Sequence, residues 1–294
     1  MNKTETAARK IKLIAVDLDG TLLNSQHTLS ERNRDALRRA IEQGVQVILA
    51  TGKTRRSADS IIAALDIQSP GIYSQGLVIV NADGTVRHQQ TFDAQLARRI
   101  IPFAEERGFG VLIYSGFGLL ARAADPRIDE IISYGEPQPE MVGPLVNILD
   151  TRPVNKLLIV GEQPRLRALR YQLDKMFGAQ ITLTTAGLST TIEVLPPNTS
   201  KGKGLRLLAN ELGIAKEEIL AIGDGENDRE MLQFAGIGLA VANADPHLKE
   251  VADDVIASNN EDGVAQAVEK YVLQAQAEAA PTAEQSASAV SEEA

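Results

Sequence analysis

The sequence predicts an α/β protein in which a Rossmann-like parallel-sheet core is interrupted by an inserted α+β cap domain. Over much of its 294 residues, short apolar runs alternate with amphipathic segments of helix length, as in strands joined by crossover helices. In the middle of the chain this alternation gives way to paired strands, and it then resumes. At ~150 residues per domain the length suggests two modules or one large one, and a chain this long can bury a substantial core without disulfides.

The first part of the core is predicted from apolar runs and from residues that begin or end helices. Ser30 is a favourable N-cap, and Gly44 a favourable stop, for the helix between them. Asp83 and Gly84 follow an apolar run and predict the turn of a hairpin. The predicted elements are strands at 11–16, 45–50 and 72–80, and helices at 32–43 and 54–65.

The remaining elements divide between the insertion and the second part of the core. In the insertion we predict strands at 109–114, 118–122, 154–160, 181–185 and 190–194, and helices at 92–107, 125–134 and 164–177. In the core we predict strands at 219–222, 238–241 and 255–256, and helices at 202–212, 227–234 and 263–272.

The predicted domains follow from this order of elements. The core comprises residues 11–86 and 189–274, and the cap domain comprises residues 87–188. Residues 1–10 are predicted to form a flexible N-terminus. Residues 275–294 are rich in Ala and Glu with almost no large apolar side chain, so they are predicted to form a disordered acidic tail.

Composition and charge exclude several classes of protein. With 30 Lys+Arg against 39 Asp+Glu, the net charge of −9 argues against a nucleic-acid binder, since a phosphate backbone attracts a basic surface. The absence of Cys excludes disulfides and thiol catalysis and is typical of a reducing compartment. No apolar run approaches the ~18 residues of a membrane span. We expect a soluble, cytoplasmic protein, and the sequence does not determine whether it is a monomer or a dimer.

Polar and charged residues follow the predicted core strands at the points where those strands end. The first strand is followed by residues 17–21 (DLDGT), the second by residues 51–53 (TGK) and the strand near residue 220 by residues 223–228 (GDGEND), while Lys201 begins a predicted helix. Ligands of open parallel sheets bind beyond the carboxyl ends of the strands, so we expect these four segments to meet at one edge.

This combination of residues indicates phosphoryl transfer. Carboxylates gathered without His or Cys favour Mg²⁺ as the ion that offsets their repulsion. One Asp can be a nucleophile that forms an aspartyl-phosphate, and a carboxylate two residues later can be a general acid and base. Lys201 and Thr51 would hold the phosphoryl oxygens. Each segment alone is a weak indication, because a D-x-D pair is more often a solvated turn, and the prediction depends on the four together.

In these motifs the chain resembles the haloacid dehalogenase superfamily of phosphohydrolases, specifically the Cof-type branch with a large α/β cap. The motifs are residues 17–22 (DLDGTL), 51–52 (TG), 200–202 (SKG) and 223–228 (GDGEND), and the stretches 238–244 (GLAVANA) and 260–265 (NEDGVA) also match. The resemblance extends over residues 11–272, which is essentially the whole of the chain predicted to be ordered.

The resemblance implies which residues carry out the reaction. Asp17 would be the nucleophile, and Asp19 would be the general acid and base. Thr51 and the Gly52 amide would bind the phosphoryl group. Lys201 would balance charge between that group and Asp17, so the catalytic residues would be Asp17, Asp19 and Lys201.

The resemblance also implies a metal site and a function for the cap. Asp17, Asp224 and the carbonyl of Asp19 would bind Mg²⁺, and Asp228 would bind it or orient its waters. Asn227 would contact the phosphate or steady the lysine. The cap would close over the site and select the leaving group, which is expected to be that of a small phosphorylated metabolite such as a sugar phosphate or a cofactor precursor.

Two alternatives remain beside a Mg²⁺-dependent phosphatase. A phosphomutase would pass the phosphoryl group to a second hydroxyl instead of water, and a regulatory binding protein would have lost the chemistry. A lost site predicts a missing nucleophile or metal ligand, whereas all of these residues are present.

The sequence departs from the usual pattern of the branch at Lys53, where many relatives have Arg, and at Gln75, where many have Asn. Both positions could line the substrate side, so they bear on the substrate rather than on the reaction.

Overall fold

The computed structural model describes residues 10–185 and 188–274. The first part of the chain contains β1 (Leu13–Val16), α1 (Glu31–Glu42), β2 (Gln46–Leu49), α2 (Asp59–Leu65), β3 (Gly71–Tyr73), β4 (Val78–Val80) and β5 (Val86–Gln89). The middle contains α3 (Ala94–Glu105), β6 (Gly110–Ser115), β7 (Gly118–Ala121), α4 (Pro126–Ser133), β8 (Glu140–Met141), β9 (Lys156–Val160), α5 (Gln163–Phe177), β10 (Thr182–Thr184) and β11 (Thr191–Leu195). The last part contains α6 (Lys201–Leu212), β12 (Ile219–Gly223), α7 (Arg229–Phe234), β13 (Ile237–Val241), α8 (Pro246–Lys249), β14 (Asp254–Ile256) and α9 (Gly263–Val268).

Two of the predicted segments lie wholly or almost wholly outside the described residues. The tail predicted at 275–294 lies outside the described residues, as does the predicted flexible N-terminus except for its last residue. In the part of the chain that is described, no helix is both long and apolar enough to cross a lipid bilayer.

The core sheet contains five parallel strands in the order β14-β13-β12-β1-β2. β1 lies between β12 and β2, with Val16 opposite both Ile222 and Leu49. All residues of β1 and β12 are buried, as expected where helices cover both faces of a parallel sheet. α1 packs with α9, and α6 packs with α7. The parallel-sheet core predicted from the sequence is therefore confirmed.

A three-stranded antiparallel sheet, in the order β3-β4-β5, adjoins β2. The sequence predicts a single strand at 72–80, but the chain turns inside it, where Ser74 and Gln75 have φ values of 49° and 63°. Such values are unfavourable for residues other than glycine, so the surrounding packing must offset this local strain. At Gly76 a Cβ would lie 2.3 Å from the carbonyl oxygen of Ser200, so only glycine allows this approach. The predicted hairpin joins β4 and β5.

The inserted segment forms a six-stranded sheet in the order β10-β11-β9-β6-β7-β8, which is antiparallel except for the β7–β8 pair. We call this sheet, with helices α3, α4 and α5, the cap. Alternate residues of β6 face opposite sides of the sheet. Val111 and Ile113 pack in the hydrophobic cluster that includes residues of α3 and α5, whereas Leu112 and Tyr114 pack in a smaller cluster with residues of α4. The predicted α+β insertion therefore has its own core.

Strand pairing moves one end of the cap relative to the predicted division. β11 pairs with β9 over residues 191–194 and so belongs to the cap sheet, whereas the prediction assigned residues from 189 onward to the core. The apolar run does not indicate which sheet it joins, because that depends on a partner strand about 30 residues away. We propose that the chain enters the cap at residues 90–93 and returns to the core at residues 196–200.

Candidate active site

The segments predicted to carry chemistry meet at one edge of the core sheet. Asp17 follows β1, Thr51 lies two residues after β2, and Asp224 follows β12. These three strands are parallel neighbours, so the residues after their carboxyl ends face the same crevice. The Asp17 amide donates to the Ile222 carbonyl at 3.1 Å, which extends the strand pairing as far as the first of these residues.

Lys201 lies at the centre of the acidic residues. It is the first residue of α6, whose N-cap Ser200 accepts a hydrogen bond from the Lys203 amide at 3.2 Å. Lys201 Nζ donates to Asp17 Oδ1 at 2.5 Å and to Asp228 Oδ1 at 2.8 Å, and the lysine side chain is fully buried. The cation is thus held between two anions inside the protein.

Burial and neighbouring charges shift the ionisation of this cluster. Burial raises the pKa of Asp17 well above its ordinary value, although Lys201 opposes the shift. Burial by itself lowers the pKa of Lys201, but the two bonded carboxylates outweigh it and the net pKa is raised, so the amine stays protonated. Burial and the nearby Asp228 raise the pKa of Asp224 to about 6. A further positive charge among these carboxylates would stabilise their ionised forms.

Three of the carboxylates can reach a single point. Oxygen atoms of Asp17, Asp224 and Asp228 lie within 4.8 Å of one another. Asp228 Oδ2 accepts hydrogen bonds from the amides of Asp224 and Gly225 at 3.0 and 3.1 Å. The Thr21 hydroxyl donates to Asp224 Oδ1 at 3.1 Å. Because these side chains are oriented by other groups and offer only oxygen ligands, the set fits a hard divalent cation such as Mg²⁺.

The side chain of Asp19 has a different partner, which connects it to the cap. Lys53 Nζ donates to Asp19 Oδ1 at 2.7 Å and also to the carbonyl oxygen of Tyr134. The same ammonium group lies 4.7 Å from the centroid of the Tyr134 ring. Asp19 and Asp17 line one pocket, so the two carboxylates face the same space while only Asp19 contacts the cap through a lysine.

Thr51 and Gly52 form a short loop that lines the same pocket as Asp17. The Thr51 amide donates to the Ile72 carbonyl at 2.9 Å, and the Thr51 hydroxyl accepts from the Lys53 amide at 3.1 Å. Among the described residues, the Gly52 amide has no hydrogen-bond acceptor. A backbone N–H without an internal acceptor at the edge of a sheet is available to an anion.

Buried polar residues of the cap reach this loop. Lys156 Nζ donates to the Gly52 carbonyl oxygen at 2.7 Å and forms an ion pair with Glu193. Glu193 accepts a hydrogen bond from Gln75 Nε2 at 2.6 Å. The oxygen of the same Gln75 amide accepts from Asn227 Nδ2 at 3.1 Å. Asn227, which the family resemblance places near the phosphate, is thereby connected to the cap.

A second cap carboxylate, Glu136, contacts the residues that follow the loop. It accepts hydrogen bonds from the amide and the hydroxyl of Thr54 at 3.1 and 2.8 Å and from the Ser57 hydroxyl at 2.5 Å. The Tyr114 hydroxyl of the cap donates to it at 2.9 Å. With four donors, the buried Glu136 carboxylate is fully satisfied, and it joins the cap to the chain just after the Thr51–Gly52 loop.

The sequence motifs do not include Lys156, Glu193 or Glu136, which also contribute to the site. For two of these residues, the surrounding sequence indicates that the charged side chain is buried and paired. Lys156 directly precedes the apolar residues 157–160, and Glu193 stands between Ile192 and Val194. A charged side chain in such a setting is buried only if it is paired. Glu136 lies in a loop and has no comparable signal.

A pocket between the core and the cap contains most of these residues. All of the predicted site residues line it except Lys201 and Asp228, which are fully buried and bonded to each other. Its cap side includes Tyr114, Ile131, Tyr134, Glu136, Leu158 and Glu193. A wall of carboxylates, a hydroxyl and backbone amides thus faces a wall of aromatic and apolar side chains, which suits a phosphate group with a small organic substituent.

Gly52→Ala is expected to weaken phosphate binding and to lower the free energy of unfolding by about 1–3 kcal/mol. A Cβ at this position would lie 2.5 Å from Gln75 Nε2, so that amide would have to shift, which weakens its bond to Glu193. Thermal unfolding and inhibition by orthophosphate measure the two effects. Gly118→Ala is the control, because the nearest atom to its added Cβ is 4.0 Å away. Unchanged stability and inhibition in Gly52→Ala would contradict this close packing.

Comparisons with known proteins identify a family. The family model of the haloacid dehalogenase-like hydrolases matches residues 14–268. The phosphatase YwpJ of Bacillus subtilis is 30% identical over 278 residues, which cover 87% of this chain and 98% of that protein. The crystal structure of a haloacid dehalogenase-like hydrolase from Bacteroides thetaiotaomicron has a TM-score of 0.79 at 29% identity, and the match covers 89% of this chain and 99% of that one.

One similar protein is much longer than this chain. The chloroplastic endoribonuclease YBEY of Arabidopsis thaliana is 33% identical over 275 residues, which cover 90% of this chain. The chain spans only 47% of the length of that protein. Its name describes a protein about twice as long, so the activity in that name is not carried over to this chain.

Proposed function

The chain belongs to the haloacid dehalogenase-like hydrolases, and from this premise we propose that it is a Mg²⁺-dependent phosphatase of small phosphorylated metabolites that works through an aspartyl-phosphate. The family and the enzyme class predicted from the sequence, a phosphatase, are confirmed by the comparisons. We propose the metal ion, the covalent intermediate and the roles of individual residues described below.

The arrangement of buried charge around Lys201 is the observation that supports the proposal most. The lysine holds Asp17 and Asp228 at hydrogen-bond distance, and Asp17 also lines the pocket. A phosphate ester in that pocket could therefore meet the Asp17 carboxylate and the Gly52 amide together, with the Lys201 ammonium group directly behind that carboxylate. A nucleophile oriented by a buried cation and next to anion-binding donors is what transfer of a phosphoryl group to a carboxylate requires.

In the proposed first step, a carboxylate oxygen of Asp17 attacks phosphorus and the bond to the leaving oxygen breaks. Protonated Asp19 transfers its proton to that oxygen, and the alcohol departs. In the second step Asp19 takes a proton from a water that attacks phosphorus, the bond to Asp17 breaks, and orthophosphate is released. Lys201, Thr51 and the Gly52 amide stabilise the charge on the phosphoryl oxygens in both steps.

Asp17, Asp224 and Asp228, with the carbonyl of Asp19, are the residues that would hold Mg²⁺. When bound, the ion supplies positive charge that lets a carboxylate approach an anionic ester. Burial and Asp228 raise the pKa of Asp224, which reflects the cost of gathering these carboxylates without a divalent cation. The all-oxygen donor set supports Mg²⁺ over a softer metal.

The leaving group would lie against the cap side of the pocket. That side is aromatic and apolar, and its two carboxylates, Glu136 and Glu193, are already bonded to protein donors. A compact metabolite with a ring or a short chain fits this surface better than a substrate with several phosphates. The similar protein YwtE of Bacillus subtilis is named a 5-amino-6-(5-phospho-D-ribitylamino)uracil phosphatase, and we propose a substrate of the same general class, a small phosphorylated metabolite.

A panel of small phosphate esters tests the function. We expect release of orthophosphate from at least one of a set that includes sugar phosphates, flavin mononucleotide, pyridoxal phosphate and 5-amino-6-(5-phospho-D-ribitylamino)uracil. No release from any member would contradict the proposal. Conversion of an ester to its positional isomer, without free orthophosphate, would instead support the phosphomutase alternative.

Removal of the metal is expected to slow phosphate release on the order of 100-fold or more, because the ion contributes several kcal/mol of charge stabilisation. The measurement compares the rate with Mg²⁺ and with EDTA. Asp224→Asn should raise the Mg²⁺ concentration needed for the half-maximal rate. Glu226→Gln is the matched control from the same motif, since the Glu226 side chain is 54% exposed. A rate that EDTA leaves unchanged would show that the reaction needs no divalent cation.

A further inference from the structure

A chain of hydrogen-bonded side chains runs from the cap into the phosphate site. Lys156 and Glu193 begin it on the neighbouring strands β9 and β11, and they are 0% and 4% exposed. Gln75 continues it, with its amide bonded to Glu193 on one side and to Asn227 on the other. Through Lys156 the chain also reaches the carbonyl of Gly52. Two groups expected to bind the phosphoryl oxygens are therefore held by one network.

The network couples the cap to the core because its charged members are satisfied only when both are present. The Lys156 ammonium group bonds Glu193 and the Gly52 carbonyl, and it lies 4.0 Å from the centroid of the Tyr114 ring. Gly52 is a core residue, so separation of the cap would remove one of these partners. Gln75 in the core is likewise a partner of Glu193. Buried charges that lose a partner are costly, so docking of the cap stabilises this arrangement of the loop.

Gln75 stands in a backbone conformation that does not favour it. Its φ and ψ are 63° and 29°, in the left-handed region where Asn is better tolerated than longer side chains. The glutamine has one more methylene than Asn, and its amide spans the distance between Asn227 and Glu193. The amide also packs over Gly52, where an added Cβ would lie 2.5 Å from Gln75 Nε2. The backbone conformation at position 75 would favour Asn, so the contacts of the longer side chain are what explain the presence of Gln.

We propose that Gln75 is a positioning residue that transmits docking of the cap to the phosphate-binding groups. It holds Asn227 directly, while its partner Glu193 holds Lys156, which in turn holds Gly52. The inference rests on the proposed function, in which Asn227 and Gly52 bind the phosphoryl group. The site is then complete only with the cap docked, so a phosphate bound in the pocket and the cap favour the same arrangement.

Gln75→Asn separates this role from a structural one. The shorter amide cannot reach both partners, and we expect kcat/KM for the best ester of the panel to fall about 10- to 100-fold, as for a small misplacement of a binding group. Inhibition by orthophosphate should weaken as well. The more favourable backbone conformation of Asn opposes the cost of the lost bond to Glu193, so the thermal midpoint should change little. Two outcomes would overturn the proposal. One is an unchanged kcat/KM, and the other is a fall in kcat/KM that comes with a large fall in the thermal midpoint, as a structural defect would produce.

Hydrogen exchange of residues 51–54 tests the coupling without any assay of activity. Lys156→Met removes the donor to Gly52, and we expect faster exchange of this loop in that variant. Leu173→Ala is the control, because Leu173 is fully buried in the cap core on α5 and the variant should destabilise the cap without changing kcat/KM. If residues 51–54 exchange at the same rate in Lys156→Met as in the unchanged chain, the proposed coupling is wrong. If the unchanged chain released no phosphate, the proposed function would fail, and the exchange experiment would still decide this inference.

Discussion

Asp17→Asn is expected to abolish phosphate release, with a turnover at least about 10⁴-fold below that of the unchanged chain, and to leave the fold intact. The amide keeps the size of the carboxylate, but it cannot form the aspartyl-phosphate. Because Asp17 is buried, loss of its charge removes a desolvation cost together with an ion pair to Lys201, and the two effects oppose each other. We therefore expect only a small change in the thermal midpoint.

Rates of phosphate release and thermal unfolding measure both parts of this result. Asp35→Asn is the control, because Asp35 is an exposed acid of α1 whose neutralisation should change neither quantity. Asp19→Asn gives a second comparison: loss of a general acid should slow alkyl phosphates more than p-nitrophenyl phosphate, whose leaving group needs no proton. Removal of a nucleophile leaves only a small residual activity. A turnover above about 1% of the original in Asp17→Asn would therefore show that Asp17 is not the nucleophile.

Lys201→Met is expected to lower the free energy of unfolding by about 3–5 kcal/mol in the absence of Mg²⁺, because it leaves two buried carboxylates without their cation. Asp17 and Asp228 both bond the Lys201 ammonium group, and the whole group is buried. Phosphate release should fall at least about 10²- to 10³-fold, since the phosphoryl oxygens also lose a donor.

Urea unfolding in EDTA measures this loss of stability. Lys203→Met is the matched control two residues later in α6, where the lysine is exposed and contacts Asn198 at 3.4 Å, and it should change stability by less than about 0.5 kcal/mol. Added Mg²⁺ should restore part of the stability of Lys201→Met, because a ligand that binds only the folded state stabilises it. Equal stability of Lys201→Met and the unchanged chain in EDTA would mean that the lysine does not offset the two carboxylates.

The sequence by itself was sufficient to predict the parallel-sheet core and the place of the site within it. β1 and β12 are continuous apolar runs, and each is followed at once by an acidic motif. Parallel strands align their carboxyl ends, so residues such as Asp17 and Asp224 come together once the runs are interpreted as strands of one sheet. These predictions succeed because strand patterns, turn residues and helix N-caps depend on neighbours a few residues away. The roles of the residues in the site stay predictions.

Only the tertiary structure decided which residues join the cap to that site. β11 is an apolar run that would suit either sheet, and the turn that places Gln75 interrupts what is otherwise a strand pattern. Lys156 and Gly52 are 104 residues apart in the chain, and Gln75 and Glu193 are 118 residues apart. Contacts at such separations depend on how two separately packed units dock on each other. Local sequence patterns do not encode that docking, because they reflect the burial of apolar residues inside each unit and not the contacts between the two units.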